Sequence, residues 1–207
     1  MGQFFKMSRQ AKLKREFYTR RNTLQIAREL LGKRLVVPAP DGTRVSGLIV
    51  ETEAYLGPED RAAHSYNHRR TPRTEMMFGE GGRAYVYFIY GMYYQFNVVT
   101  NVAEIPHAVL VRALEPEDGL EWMRQRRPVK DDRHLTSGPG KLCMALGLDR
   151  TFNGEDLLGE RVWIEDAGRT VRAGQIISGP RVGIDYAGEY VDKPWRFRMK
   201  DNLYVSR

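Results

Sequence analysis

Hydrophobic and polar positions recur with two different periods along this chain, and the switches between them outline its elements. Around residues 22–32 the spacing is helical. Leu24, Ala27, Leu30 and Leu31 share one face, Asn22 stands at the cap position with Gln25 three residues on, and Gly32 supplies a stop. The period then shortens to two. Residues 34–37 read as a strand, Asp41-Gly42 as a tight hairpin turn, and residues 44–54 as a second strand. Simple alternation sets Ile49, Glu51 and Glu53 on one face and Leu48, Val50 and Thr52 on the other.

Residues 56–83 hold Pro58, Pro72 and the glycines 79, 81 and 82, so they read as a long loop with short turns. Further strands are expected at 85–89, 94–99 and 109–114, with Gly91 turning the chain between the first two. A short helix is expected over 117–127. A second follows residues 137–141, through Leu142, Ala145 and Leu146. The last third predicts strands at 162–164, around Val182, and at 195–199. Helices and strands mix without a regular βαβ alternation, which predicts an α+β fold. The 207 residues fit one domain, 1–207, with residues 1–20 as a basic, partly flexible N-terminal extension.

Charge changes this picture more than composition does. The formal net charge is +7, and residues 1–34 alone carry ten Lys/Arg against Glu16 and Glu29. A second basic patch spans 61–83, with five arginines against Glu75 and Glu80. Such patches suit nucleic acid or an anionic membrane, and a solvated basic surface explains them equally well. No apolar run approaches the roughly 18–20 residues of a membrane span, and the first residues lack a signal-peptide core, so secretion is not expected. The single cysteine, Cys143, excludes an internal disulfide framework and fits a reducing compartment.

Candidate chemistry concentrates between Glu51 and Asn97. Glu51 and Glu53 lead into Tyr55, His64 follows, and Tyr85, Tyr87, Tyr90, Tyr93 and Tyr94 crowd into ten residues. Rings with polar tips beside carboxylates suit a pocket for a flat, polar heteroaromatic group such as a nucleobase. Two plainer readings stand beside it: strand-end carboxylates facing water, and an aromatic sheet core. Asp60, His64 and His68 are spaced four apart, which on a helix permits a metal site, although polar surface is the stronger reading. Gly79-Glu80-Gly81-Gly82-Arg83-Ala84 formally fits a dinucleotide fingerprint, but a loop precedes it and a strand follows, so it is rejected. Ser137 to Lys141 lacks the first P-loop glycine. It offers a helix start to a DNA phosphate, or is a plain helix-entry turn.

At these residues the chain closely resembles the alkyladenine (3-methyladenine) DNA glycosylase family. The matching blocks are residues 51–60, Ala63-His64-Ser65, Thr71-Pro72-Arg73, Tyr85-Val86-Tyr87 through Tyr93, residues 111–116, Ser137-Gly138-Pro139, Lys141-Leu142-Cys143, Arg181-Val182-Gly183, Ala187-Gly188-Glu189 and Lys193-Pro194. They cover nearly all of the chain after about residue 20. Between Asn97 and Arg112 the chain is two residues longer than the animal form of the family.

The resemblance implies a curved, mainly antiparallel sheet with flanking helices and a protruding β-hairpin. It also implies a monofunctional glycosylase that flips alkylated or deaminated purines (3-methyladenine, hypoxanthine) from duplex DNA and hydrolyses the N-glycosidic bond. Carried over by position, Glu53 is the general base, and Arg112 and the Val182 carbonyl hold the attacking water. Tyr55, His64 and Tyr87 enclose the base, and Asn97 on the pocket floor disfavours the amino group of guanine. Tyr90 fills the vacated gap, with Met92 and Tyr93 beside it, and Arg69, Thr71 and Lys141 are expected on the DNA backbone. No cofactor, metal or membrane is expected. The partner is double-stranded DNA with damaged purines, met by a monomer in bacterial cytoplasm, near the nucleoid, or in a eukaryotic nucleus. No lysine lies between Glu51 and Asn97, so no lyase activity is expected. The rival readings are a DNA-binding domain without catalysis and a metal hydrolase.

Overall fold

The computed structural model describes residues 11–206. Strands β1 (Arg34–Pro38) and β2 (Arg44–Leu56) form the expected hairpin. At its turn the Asp41 carboxylate accepts from the Thr43 backbone N–H at 2.9 Å. Strands β3 (Ala84–Ile89), β4 (Tyr93–Thr100) and β5 (His107–Asp118) continue the sheet, and β6 (Trp163–Glu165), β7 (Ile176–Gly179) and β8 (Arg196–Met199) complete it. The order is β3-β4-β5-β2-β1-β6, with β8 on β2 and β7 on β8, and every pairing is antiparallel. The fold is therefore α+β, one domain around an open curved sheet, as expected. Strand β2 holds it together. One edge pairs with β5, and the other pairs first with β1 and then, over Glu51 to Glu53, with β8.

The two faces of the sheet have different fates. Ala54, Ala84, Val86, Phe96, Val98, Val109 and Val111 point into the main core, under helices α2 (Thr23–Glu29) and α4 (Pro139–Leu146). Each fully buried Leu, Ile or Phe there contributes about 1.5–3 kcal/mol of transfer free energy. Thr52 also faces this side and donates to the Ala27 carbonyl at 2.8 Å. The alternate residues Glu53, Tyr55, Tyr85, Tyr87, Gln95, Asn97, Ala108 and Leu110 face the other side. Two small apolar clusters lie there, one around Met77 and Tyr85 and one around Ala62, Ile184 and Ala187. The 56–83 segment roofs this face with two 3-10 turns, Tyr66–His68 and Glu75–Phe78.

Several expectations need correction. Alternation along β2 breaks, because the register shifts around Val50 and again at Arg112 on β5. Such bulges insert an unpaired residue and re-aim its neighbours. The strand also runs on to Leu56, and Glu51 and Glu53 are fully buried rather than strand-end groups in water. Glu117 belongs to β5, where it pairs with Arg34 at 3.1 Å, and the helix α3 (Leu120–Arg126) starts only after Gly119 turns the chain at φ +73. Val182 lies in a loop, since the strand of that region is β7. Of the expected N-terminal extension, residues 1–10 lie outside the described residues. From Ala11 onward the chain packs: Leu13 donates to the Ile164 carbonyl, α1 (Arg15–Tyr18) follows, and Tyr18 is buried.

Candidate active site

One row of paired residues crosses four strands and lays the floor of a cavity. Glu53 on β2 pairs with Leu110 on β5, Leu110 with Asn97 on β4, and Asn97 with Tyr85 on β3. Opposed residues in an antiparallel ladder point to the same face, so these four side chains line up. The next pair outward is Tyr87 with Gln95. Tyr55 and His64 stand around this floor, and Arg112, Val182 and Tyr186 border the same cavity.

Glu53 sits at the edge of that floor with both oxygens engaged. Oε1 accepts from the Val182 N–H at 2.8 Å. Oε2 accepts from the Tyr55 hydroxyl at 2.8 Å and lies 3.2 Å from Arg112 Nη1. An ionised carboxylate has about four acceptor positions, so roughly one remains for a water or a substrate proton. Glu51 has no such freedom. It takes Arg112 at 3.1 Å, Arg196 at 2.6 Å, and both the backbone N–H and hydroxyl of Ser206, at 2.7 and 3.0 Å. Two arginines balance the two buried carboxylates. Their geometry makes Glu51 an anchor for Arg112 and leaves Glu53 the less saturated of the two.

A second buried pair holds the roof. Arg181, fully buried, forks onto both oxygens of Asp60 at 2.5 and 2.8 Å and onto the Ala54 carbonyl at 2.9 Å. Its guanidinium also packs on the rings of Tyr55 and Trp195. Asp60 in turn accepts from the Leu56 and Ala62 backbone N–H groups at 3.1 and 3.0 Å. One ion pair thus ties the loop carrying His64 to the residue preceding Val182.

The aromatic wall is hydrogen-bonded throughout. His64 Nδ1 lies 2.9 Å from the Tyr85 hydroxyl, and the Tyr87 hydroxyl donates to Gln95 Oε1 at 2.6 Å. His64 and Tyr87 meet edge to face with centroids 4.6 Å apart. Asn97 donates to the Tyr85 and Gln95 carbonyls at 3.1 and 3.5 Å, which fixes its side chain. Burial, helped by Arg73 and Arg69, pushes the His64 imidazole down to about 4, from an ordinary value near ~6.5. A lowered value means the folded state binds fewer protons than the unfolded chain between those limits. Stability from this group is therefore full above about pH 6.5 and lost as pH falls toward 4. An NMR titration of His64 is expected to show a midpoint near 4, rising in Arg73→Ala. A midpoint at or above the ordinary value contradicts this environment.

At the mouth the β3–β4 hairpin stands into solvent. Tyr90 and Gly91 both have positive φ, +54 and +67, as a type I′ turn requires, and Tyr90 is 76% exposed and Met92 62%. Tyr93 packs on α4, where a Cβ on Gly140 would stand 2.8 Å from its ring. Lys141 follows in the first turn of that helix. Beside the mouth, Arg61, Arg69, Arg73 and Thr71 line a neighbouring cleft. Among the described residues none of those three arginines has an acid within ion-pair distance, whereas Arg70 is taken by Glu75 and Glu104. Asp60, His64 and His68 share no helix face. Asp60 turns inward to Arg181, and Asn67 and His68 have positive φ. Among the described residues no group of three His, Cys, Asp or Glu is placed to hold a metal.

The model of the methylpurine-DNA glycosylase family matches residues 16–203. The chain belongs to that family. It is 50% identical over 203 residues to a protein of Desulfitobacterium hafniense, covering 94% of this chain and 98% of the relative. A protein of Alkaliphilus oremlandii is 48% identical, with coverage of 95% and 99%, and one of Bacillus cytotoxicus 48%, with coverage of 90% and 95%. All three carry the description "Putative 3-methyladenine DNA glycosylase". The chain is therefore a DNA glycosylase, a hydrolase of N-glycosidic bonds in DNA repair, and DNA is its substrate. These relatives are bacterial, and among the described residues no helix is long and apolar enough to cross a membrane.

The cavity gathers every expected pocket residue: Tyr55, His64, Tyr87, Asn97, Arg112 and Val182. Tyr90 borders it from the hairpin tip, and Met92 and Tyr93 follow along the hairpin. Glu53 reaches it through Val182, Tyr55 and Arg112, which bond it. Reading the sequence missed Tyr85 as the partner of His64, Gln95 as the partner of Tyr87, and Tyr186 at the rim. Strand alternation after Tyr87 and Asn97 was the available signal for the first two. Arg181 lies in a matching block but nothing local gives its partner, and no local signal marks Arg196 or Ser206, because their partners lie more than 120 residues away.

Proposed function

We propose that the chain flips alkylated or deaminated purines, 3-methyladenine and hypoxanthine among them, out of duplex DNA and hydrolyses the bond to the sugar. The observation that carries this reading is Glu53: a fully buried carboxylate held by three donors, Tyr55, Arg112 and Val182, that themselves line an aromatic cavity beside an exposed hairpin tip. Glu53 takes a proton from a water whose oxygen attacks C1′. The glycosidic C–N bond breaks, and its electron pair leaves with the base. Arg112 and the Val182 carbonyl hold that water. The carboxylate also offsets positive charge growing on the sugar, and the two effects together are worth roughly 10²–10⁴ in rate.

Tyr55, His64 and Tyr87 enclose the base. A neutral His64 adds no charge against a cationic lesion, and electron-rich rings attract one. Asn97, pinned by two carbonyls, bars an exocyclic amino group by bulk. Tyr90 stacks in the vacated gap with Met92 and Tyr93 beside it, repaying part of the few kcal/mol that flipping costs. Arg69, Thr71 and Lys141 take DNA phosphates. Among the described residues no lysine borders the cavity, so no Schiff base with the sugar is expected and the strand stays uncut. The chain works as a monomer, in the cytoplasm of a bacterium.

The test is release of 3-methyladenine and hypoxanthine from defined duplexes by the wild-type chain. Both bases are expected free, leaving alkali-labile abasic sites. A protein that binds these duplexes and releases neither base is a binding domain, not this enzyme.

A further inference from the structure

Resting on the reading above, we infer that Gln95 reads the 6-position of the flipped purine and favours a carbonyl there. Tyr87 donates to Gln95 Oε1 at 2.6 Å, which orients the amide and leaves its nitrogen free. Gln95 borders the cavity, and among the described residues Nε2 has no acceptor. The neighbouring polar groups are engaged: His64 Nδ1 with Tyr85 and Nε2 with Arg73 at 3.5 Å, and the Asn97 nitrogen with two carbonyls. Gln95 thus presents a spare N–H donor to whatever fills the site. When a bound base displaces water from this half-buried donor, the lost hydrogen bond is replaced only by a base that supplies an acceptor.

Its place in the sheet fits the far edge of a purine. Glu53 lies on β2 and Gln95 on β4, with β5 between them. Two strand spacings separate those strands, ~9.6 Å. With the sugar at Glu53, the base lies across Leu110 and its six-membered ring reaches β4. There the chain offers Gln95 and, two residues on along the same face, Asn97. The two side chains stand ~6.8 Å apart along the strand, so they address different positions of one base edge.

Asn97 bars a substituent at C2, and Gln95 rewards an oxygen at C6. A 6-amino group would set N–H against N–H. The purine that satisfies both has a carbonyl at C6 and hydrogen at C2. That is hypoxanthine, the deamination product of adenine. Deaminated purines are then a class this pocket selects, beyond tolerating them beside cationic alkylated bases. The latter leave readily through their own charge and depend less on this bond.

The experiment measures single-turnover release of hypoxanthine and of 3-methyladenine from matched duplexes, for wild type, Gln95→Leu and Gln95→Glu, with thermal unfolding run alongside. Losing one such hydrogen bond lowers the hypoxanthine to 3-methyladenine rate ratio about 10-fold in Gln95→Leu. Gln95→Glu still accepts from Tyr87 but turns an acceptor toward the base, so the ratio falls further. A ratio within twofold of wild type in the leucine variant overturns the inference, as does a rise in the glutamate variant. If Gln95→Leu unfolds, the glutamate variant decides alone. Wild-type protein that releases neither base overturns the functional reading and this inference together. Release of both with an unmoved ratio overturns this inference only.

Discussion

Glu53→Gln is expected to slow base release by about 10³-fold, since it removes both the proton acceptor and the negative charge beside the reacting sugar. Glutamine matches the shape of the carboxylate and still accepts a hydrogen bond from Val182 or Tyr55. Arg112 keeps Glu51 at 3.1 Å, so the substitution does not strand a buried cation. Folding and affinity for an abasic or undamaged duplex should therefore stay near wild type. Single-turnover excision, thermal unfolding and a DNA-binding titration on the same preparation separate these effects. A variant that releases 3-methyladenine within tenfold of the wild-type rate would remove Glu53 from the mechanism.

Arg181→Ala carries the largest expected cost in stability. Removing one partner of a buried ion pair leaves the other charge uncompensated, at about 3–5 kcal/mol. For a chain of this size that corresponds to a melting temperature roughly 10 °C lower. Asp60 loses its bidentate partner, and the Tyr55 and Trp195 rings lose the cation between them. The effect reaches the site because Val182, the next residue, supplies the N–H on Glu53. The Asp60→Ala/Arg181→Ala double variant should cost less than the sum of the single changes, as contacting partners do. Additive losses in thermal or urea unfolding would show that the pair does not act as a unit.

Much of this enzyme is legible one segment at a time. The cap at Asn22, the Asp41-Gly42 turn and the hairpin around Gly91 follow from local stereochemistry, which a few adjacent residues decide. The strands from Tyr85 to Leu114 follow from composition and period. Tyr55, His64 and Tyr87 lie in ordered motif blocks, and the fold brings them to one cavity. The errors arose where non-local forces outweigh local pattern. The bulges at Val50 and Arg112 depend on how β2 and β5 meet, and Glu117 stays in a strand because Arg34, 83 residues away, pairs with it.

The glutamates show where that division falls. Sequence by itself placed two carboxylates two apart on a strand, surrounded by tyrosines, with an excess of arginine nearby. It also set Glu53 rather than Glu51 as the base, but only through the family resemblance. Tertiary structure supplied the physical distinction. Arg196 and Ser206 come from the far end of the chain to saturate Glu51, and the Asp60–Arg181 pair brings Val182 to Glu53. A carboxylate's chemistry depends on which donors surround it once water is excluded. Those donor sets are completed only when segments more than a hundred residues apart pack together.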